Sequence, residues 1–188
     1  MRLPALILAA LLAPISLFSQ VVPPTTDVSK ALSVLTTGMT VKALTVDSTG
    51  NVYLAGVSAS PFSGVTQTFG PRGDSDIFVI KTNSTGDQIL YTVSIGGTAV
   101  DDVRAIRADA NGNLYALGST TSTDFPVTKA FNPTNPIGSV LFKLNAAGSA
   151  LTYSTQLGSR MTALAFDLDS TGAAYVTGST NVNDIATT

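Results

Sequence analysis

A chain of 188 residues with formal charge −2, 12% charged and 44% hydrophobic residues has the composition of a globular domain. It contains no His, Cys, Glu or Trp. Within these residues that excludes a thiolate nucleophile, an imidazole acid–base pair, a Ser-His-Asp triad, a disulfide and an ordinary zinc site. No basic surplus is present to hold a nucleic-acid backbone.

The first element is MRLPALILAALLAPISLFSQ, residues 1–20, where Arg2 precedes an apolar run from Leu3 to Phe18. This is the pattern of a secretory signal peptide, 1–19, with small Ser19 at the cleavage position. The run is short for a membrane span and is interrupted by Pro14. The expectation is a secreted, periplasmic or cell-surface protein with no membrane span after cleavage. Residues 20–40 are a Pro- and Thr-rich leader whose apolar stretch 31–35 is either the closing strand of a ring or a lead-in strand.

VKALTVD (41–47) alternates and is β-branched, as a strand does. Asp47-Ser-Thr-Gly50 then supplies a type I turn, with Gly tolerating a left-handed backbone, and Asn51 to Val57 returns as the second strand of a hairpin. After a loop at 58–75 come strands DIFVIKT (76–82) and QILYTVSIGG (88–97), joined through Asn83–Gly86. The stretch DSTGNVYLAG (47–56) recurs as DANGNLYALG (109–118) and DSTGAAYVTG (169–178), so Tyr53, Tyr115 and Tyr175 share one position. Lys81, Gly86, Tyr91 and Gly96 likewise map to Lys143, Gly148, Tyr153 and Gly158, with VLFKLN (140–145) and ALTYSTQLGS (150–159) as strands. A fixed period marks stacked structural units.

Each unit of roughly 60 residues therefore holds four short strands joined by tight hairpins. The runs at 52–55, 77–80 and 140–142 are apolar on successive residues, so both faces require cover. Radially stacked blades supply that cover; a β-sandwich is the alternative but gives no reason for the period. The fold expected is all-β, a β-propeller of four-stranded antiparallel blades, incomplete at about two and a half blades. Blade 1 spans 41–103, blade 2 spans 104–162, and a partial blade 3 spans 163–188.

DSTGNVYLAG, GSTTSTDFPVT (118–128), LFKLNAAGSALTYSTQLG (141–158) and GGTAVDDVRAIRAD (96–109), occurring in this order, resemble the repeat of secreted bacterial β-propeller proteins, the SBBP or seven-bladed propeller repeat. The resemblance covers about residues 41–188. It departs from a strict repeat at SASPFSG against STDFP, at Ala173 in place of Asn, and at SRMTAL, which lacks the paired Asp101 and Asp102. The third unit breaks off inside a motif at Thr188, so further blades of a longer chain, or self-association, are expected.

The resemblance implies that the 41–47 strand is innermost, which places the connections 58–75, 97–103 and 119–138 on one face. Binding residues concentrate on such loops. The candidates are Arg72, Asp74, Asp76, Asp101, Asp102, Arg104, Asp124, Phe125 and Phe131. Asp101 and Asp102 have the chemistry to ligate calcium or hold sugar hydroxyls, but neighbours on a strand point to opposite faces, and a turn that caps the strand entry accounts for them better. Asp109, Asn111 and Asn113 alternate like the start of a calcium loop, yet lack its Glu and fit a turn better. Asn83-Ser84-Thr85 matches the glycosylation pattern and also a plain turn. Phe62, Phe125 and Phe131 are either a sugar-stacking platform or plugs between blades.

The function expected is non-catalytic binding or scaffolding of a protein or glycan, with no cofactor and no metal. The alternatives are part of a polysaccharide-acting propeller enzyme completed by other blades, and a passive spacer.

Overall fold

The computed structural model describes residue 35 and residues 38–59, 61–128, 137–158 and 161–180. The signal peptide, almost all of the leader, Phe131 and the last eight residues lie outside the described residues. Among the described residues no helix is long and apolar enough to cross a membrane.

The first sheet holds β1 (Met39–Val46), β2 (Val52–Ser58), β4 (Asp76–Thr82) and β5 (Ile89–Ile95) in antiparallel order, with a short β3 (Gln67–Phe69) added parallel to β5. The second is β6 (Asp101–Ala108), β7 (Leu114–Thr120), β8 (Gly138–Leu144) and β9 (Leu151–Gly158), again antiparallel. β10 (Met161–Leu168) and β11 (Ala174–Thr180) form a third hairpin. The chain is thus all-β, an incomplete propeller of two four-stranded antiparallel blades and the opening hairpin of a third. The first strands of successive sheets lie together, β6 against β1 and β10 against β6.

The repeated motif follows from local chemistry. Gly50, Gly112 and Gly172 take φ of 87°, 77° and 84°, which a side chain resists. Their N–H groups bond back to the carbonyls of Asp47, Asp109 and Asp169 at 3.0, 3.0 and 3.1 Å. At the motif's other end, β1, β6 and β10 each carry a bulge at residue 42, 104 or 164. The bulged backbone brings a carbonyl over the facing glycine. A Cβ on Gly56, Gly118 or Gly178 would sit 1.9, 2.1 or 2.2 Å from the oxygen of Thr40, Asp102 or Thr162. The motif's closing glycine therefore makes room for the bulge.

The successive apolar residues are covered on both faces, as expected: all seven residues of β4 are buried. One core fills the space between the first two sheets, with Tyr53, Ile77 and Val93 packed against Ile106, Leu114 and Phe142. A second joins β7 and β8 to β10 and β11 through Leu117, Leu141 and Phe166. A third covers the outer side of the first sheet, where Phe62 and Leu35 pack over Leu54, Phe78 and Ile80.

Two boundaries differ from the sequence reading. β6 begins at Asp101 and β10 at Met161, so Asp101 and Asp102 are strand residues and not part of a 97–103 loop; Arg104 lies within β6, and Asp76 opens β4 where the sequence reading began that strand. The ladder to β7 reaches back to these residues, with Asp101 opposite Thr120. The 58–75 connection also contains β3, whose three residues lay along β5; Thr66 begins this pairing by donating its N–H to the Thr92 carbonyl at 2.7 Å. Blade 2 does the same at the equivalent place, Thr128 N–H to the Ser154 carbonyl at 3.1 Å. In both blades the loop thereby occupies the edge of the fourth strand.

Candidate functional site

The ionisable side chains gather at the two ends of the blades. At the end with the tight turns, Asp47 sits at the centre of its own loop. It accepts from the Thr49 N–H at 2.9 Å, the Thr49 hydroxyl at 2.7 Å, the Asn51 N–H at 3.0 Å and the Asn51 amide at 2.9 Å. Burial alone would raise this carboxyl, but the bonds from Thr49, Asn51 and Tyr53 outweigh it and hold it at about 2.

The Tyr53 hydroxyl lies 3.0 Å from that carboxylate and 2.8 Å from the carbonyl of Gly112, in the corresponding turn of the next blade. Its single hydrogen serves both acceptors. Burial, then the bond to Asp47, push this phenol far above its ordinary value. Lys81 crosses the Tyr53 ring at 4.8 Å and donates to the Ala146 carbonyl of the next blade at 3.2 Å. Turn, tyrosine and lysine of one blade thus clasp two turns of its neighbour.

Blade 2 repeats the clasp toward blade 3. Tyr115 donates to the Gly172 carbonyl at 2.8 Å and accepts from Lys143 at 2.6 Å, while Lys143 pairs with Asp109 at 3.2 Å. Lys81 and Lys143 respond differently. Burial lowers the Lys81 ammonium, opposed by Asp47 at 3.9 Å, whereas at Lys143 the bonds to Tyr115 and Asp109 overcome burial and raise it. Lys143 folds back onto its own blade; among the described residues the third hairpin has no counterpart of Ala146.

At the opposite end Asp101 is completely buried. It accepts from the Gly97 N–H at 2.7 Å, from the Thr120 hydroxyl, and from the Ser122 hydroxyl at 3.1 Å. Asp76, also buried, accepts from the Gly73 N–H at 3.2 Å. Both carboxylates close on Gly96, where a Cβ would stand 2.3 Å from Asp76 and 2.8 Å from Asp101. Burial raises both carboxyls above their ordinary value; the charge of Asp101 adds to this at Asp76, and that of Asp124 adds at Asp101.

The candidate binding residues therefore separate. Asp76, Asp101 and Phe125 are buried, Phe125 tilted against Phe142 with ring centres 6.4 Å apart. Phe62 is buried edge-on to Phe78, with Arg72 5.9 Å above its ring. Asp102 pairs with Lys42 of blade 1 at 2.6 Å. Arg72, Asp74, Arg104 and Asp124 are exposed, and Asp124 accepts from the Thr98 N–H at 2.8 Å. Phe131 is outside the described residues. Asp109 and Asn113 bond to each other within their turn at 2.8 Å. Among the described residues no group of three or more His, Cys, Asp or Glu is placed to hold a metal ion.

Sequence reasoning missed the role of Lys81 and Lys143, and that of Tyr53 and Tyr115 beyond packing. The signal was present: a lysine at a repeat-matched position inside each otherwise apolar strand, DIFVIKT and VLFKLN. An open cleft of about 270 Å³ lies at the turn end between blades 2 and 3, lined by Arg107, Asp109 and Asn111 on one side and Asp167, Asp169 and Thr171 on the other. The chain matches no protein-family model and no curated protein.

Proposed function

We propose that this chain is an exported β-propeller module of the secreted bacterial repeat type, which binds or scaffolds a protein or glycan at the cell surface or outside the cell and performs no catalysis. The observation that carries this reading is the employment of the reactive side chains. The Asp, Tyr and Lys of the turn end hold neighbouring blades together, and Asp76 and Asp101 are buried in hydrogen-bonded positions at the loop end. Among the described residues the loop end also presents exposed charges of both signs, Arg72, Asp74 and Asp124 on connections between rigid strands and Arg104 on β6.

Export is tested by sequencing the amino terminus of the mature protein from the culture supernatant, which is expected near Gln20. Binding is tested by screening the mature protein against glycan and surface-protein panels, then repeating any hit with Arg72→Ala and Arg104→Ala. Weakened binding with unchanged thermal stability supports the reading. Release of cleaved saccharide would overturn it in favour of an enzyme.

A further inference from the structure

Five asparagines lie among the described residues, and four have their side-chain amides tied down. Asn51 donates to Asp47 at 2.9 Å, Asn83 to Asp87 at 2.7 Å, Asn113 to Asp109 at 2.8 Å and Asn145 to the Ser149 hydroxyl at 3.0 Å. Asn111 is exposed, and among the described residues its carboxamide makes no hydrogen bond. Of the five it alone precedes a glycine, so no Cβ shields the nitrogen of the next residue. The other two copies of the motif have Thr at this position. There the hydroxyls of Thr49 and Thr171 lock the turn by donating to Asp47 and Asp169, each at 2.7 Å. The second copy has exchanged that lock for an unrestrained amide.

We propose that Asn111 is a site of spontaneous covalent modification, conversion to isoaspartate through a succinimide closed by the Gly112 nitrogen. The nitrogen attacks the side-chain carbonyl carbon of Asn111; a C–N bond forms, the bond to the amide nitrogen breaks, and ammonia leaves with the proton that Gly112 gives up. Water then opens the ring at the main-chain carbonyl, so that the chain runs on through the side chain. The Gly112 N–H donates to the Asp109 carbonyl at 3.0 Å, so ring closure waits on the opening of that turn bond. The bond lies at the exposed end of the β6–β7 hairpin, where opening is local.

The modification reaches the blade boundary because Gly112 is seated in it. Its carbonyl accepts from Tyr53 at 2.8 Å, and a Cβ on it would stand 3.5 Å from both the Tyr53 oxygen and Lys81 Nζ. Isoaspartate inserts a methylene into the main chain just before this glycine. The Asn113 N–H and side-chain amide stay anchored on Asp109 at 2.9 and 2.8 Å, so the added length must bow out at residues 111 and 112. Tyr53 thereby loses its acceptor in blade 2. The new carboxylate also adds a negative charge to the cleft that Asn111 lines together with Asp167 and Asp169.

The test incubates the full folded chain at body temperature in mildly alkaline buffer, which favours the deprotonated nitrogen, and follows residues 111 and 113 separately by fragment masses. Residue 111 gains about 1 Da, an amide NH2 exchanged for OH, and becomes a substrate for isoaspartate methyltransferase, while Asn51, Asn83, Asn113 and Asn145 stay unchanged. Asn111→Thr, which restores the residue of the other two copies, abolishes the gain. The isoaspartyl form is then purified and nitrated with tetranitromethane. Tyr53 reacts faster in it than in fresh protein, and in Asn111→Asp, which has the charge without the added methylene, it reacts as slowly as in fresh protein. If Asn111 stays intact in the folded chain while the urea-unfolded chain is modified there, the turn bond protects it and the proposal is overturned. Equal protection of Tyr53 in the isoaspartyl and fresh proteins overturns the coupling to the blade boundary.

Discussion

Tyr53 on β2 places its hydroxyl 2.8 Å from the carbonyl of Gly112, 59 residues along the chain and in the next sheet. The contact joins two recurrences of one motif, and Tyr115 meets Gly172 of the following copy in the same way. A lost hydrogen bond of this kind leaves a carbonyl unmet at a sheet boundary, which costs roughly 1–2 kcal/mol. Tyr53→Phe and Tyr115→Phe are each expected to lower stability to urea by that amount. Tyr175→Phe, on an exposed ring, is expected to change it by less than about 0.5 kcal/mol.

The closing glycine of the motif gives a sharper contrast. In Gly118→Ala the new methyl would lie 2.1 Å from the Asp102 carbonyl oxygen, and its nearest neighbours are all backbone atoms of Asp102 and Val103, with no flexible group to yield. Either the bulge in β6 must be lost or the two strands must part. The expected cost exceeds about 3 kcal/mol. Gly64→Ala is the control: it has a left-handed φ of 80° but nothing within 4 Å of the new Cβ, so only the backbone term of about 1–2 kcal/mol applies. Paired thermal melts of the two variants separate close approach from conformational strain.

How much of this was legible in the sequence follows from the range of each interaction. The turns were, because Asp47 and Gly50 make their bonds within four residues and the residue types name the turn. The stacked sheets were, because residues 77–80 are apolar without alternation and the period is one sheet long. β3 was not, since Gln-Thr-Phe is too short to show a pattern and is held by its partner strand. At the candidate site the sequence marked Asp101 as a loop carboxylate; its partner Gly97 is in the same connection, but Thr120 and Ser122 lie 19 and 21 residues along the chain, and only the folded chain makes it buried. The Tyr53–Gly112 and Lys81–Ala146 contacts were invisible for the same reason. A motif shows what recurs, and a partner 59 or 65 residues away shows only in space.

Adjacent Asp101 and Asp102 are expected to respond to substitution by very different amounts. Asp102 is partly exposed and pairs with an exposed Lys42, an arrangement that contributes at most about 1 kcal/mol and weakens with salt. Asp101→Ala instead strands the Gly97 N–H and the hydroxyls of Thr120 and Ser122 in a buried site, at roughly 2–4 kcal/mol. Urea titrations at low and high salt check both: only the Asp102→Ala difference shrinks as salt rises.

The two ends of the blades also predict a stability maximum in pH. Asp47 is held at about 2, below the ordinary 3.8, so its contribution is fully present above pH 3.8 and is lost as pH falls toward 2. That contribution is on the order of 2 kcal/mol. Asp109 is displaced in the same direction. Asp76 and Asp101 are raised by burial, so in the folded chain they keep protons that the unfolded chain releases near 3.8. Their effect has the opposite sign: stability falls as pH climbs from 3.8 through their folded values. Melting temperatures taken from about pH 2 to about pH 7 should therefore peak near pH 4. Asp47→Asn should flatten the acid limb and leave the other in place. Asp76→Asn should flatten the upper limb, because it removes one buried charge and the repulsion that charge exerts on Asp101. A melting temperature that rises steadily through the upper range in the unsubstituted protein would show that the carboxylates at Gly96 titrate as ordinary surface groups.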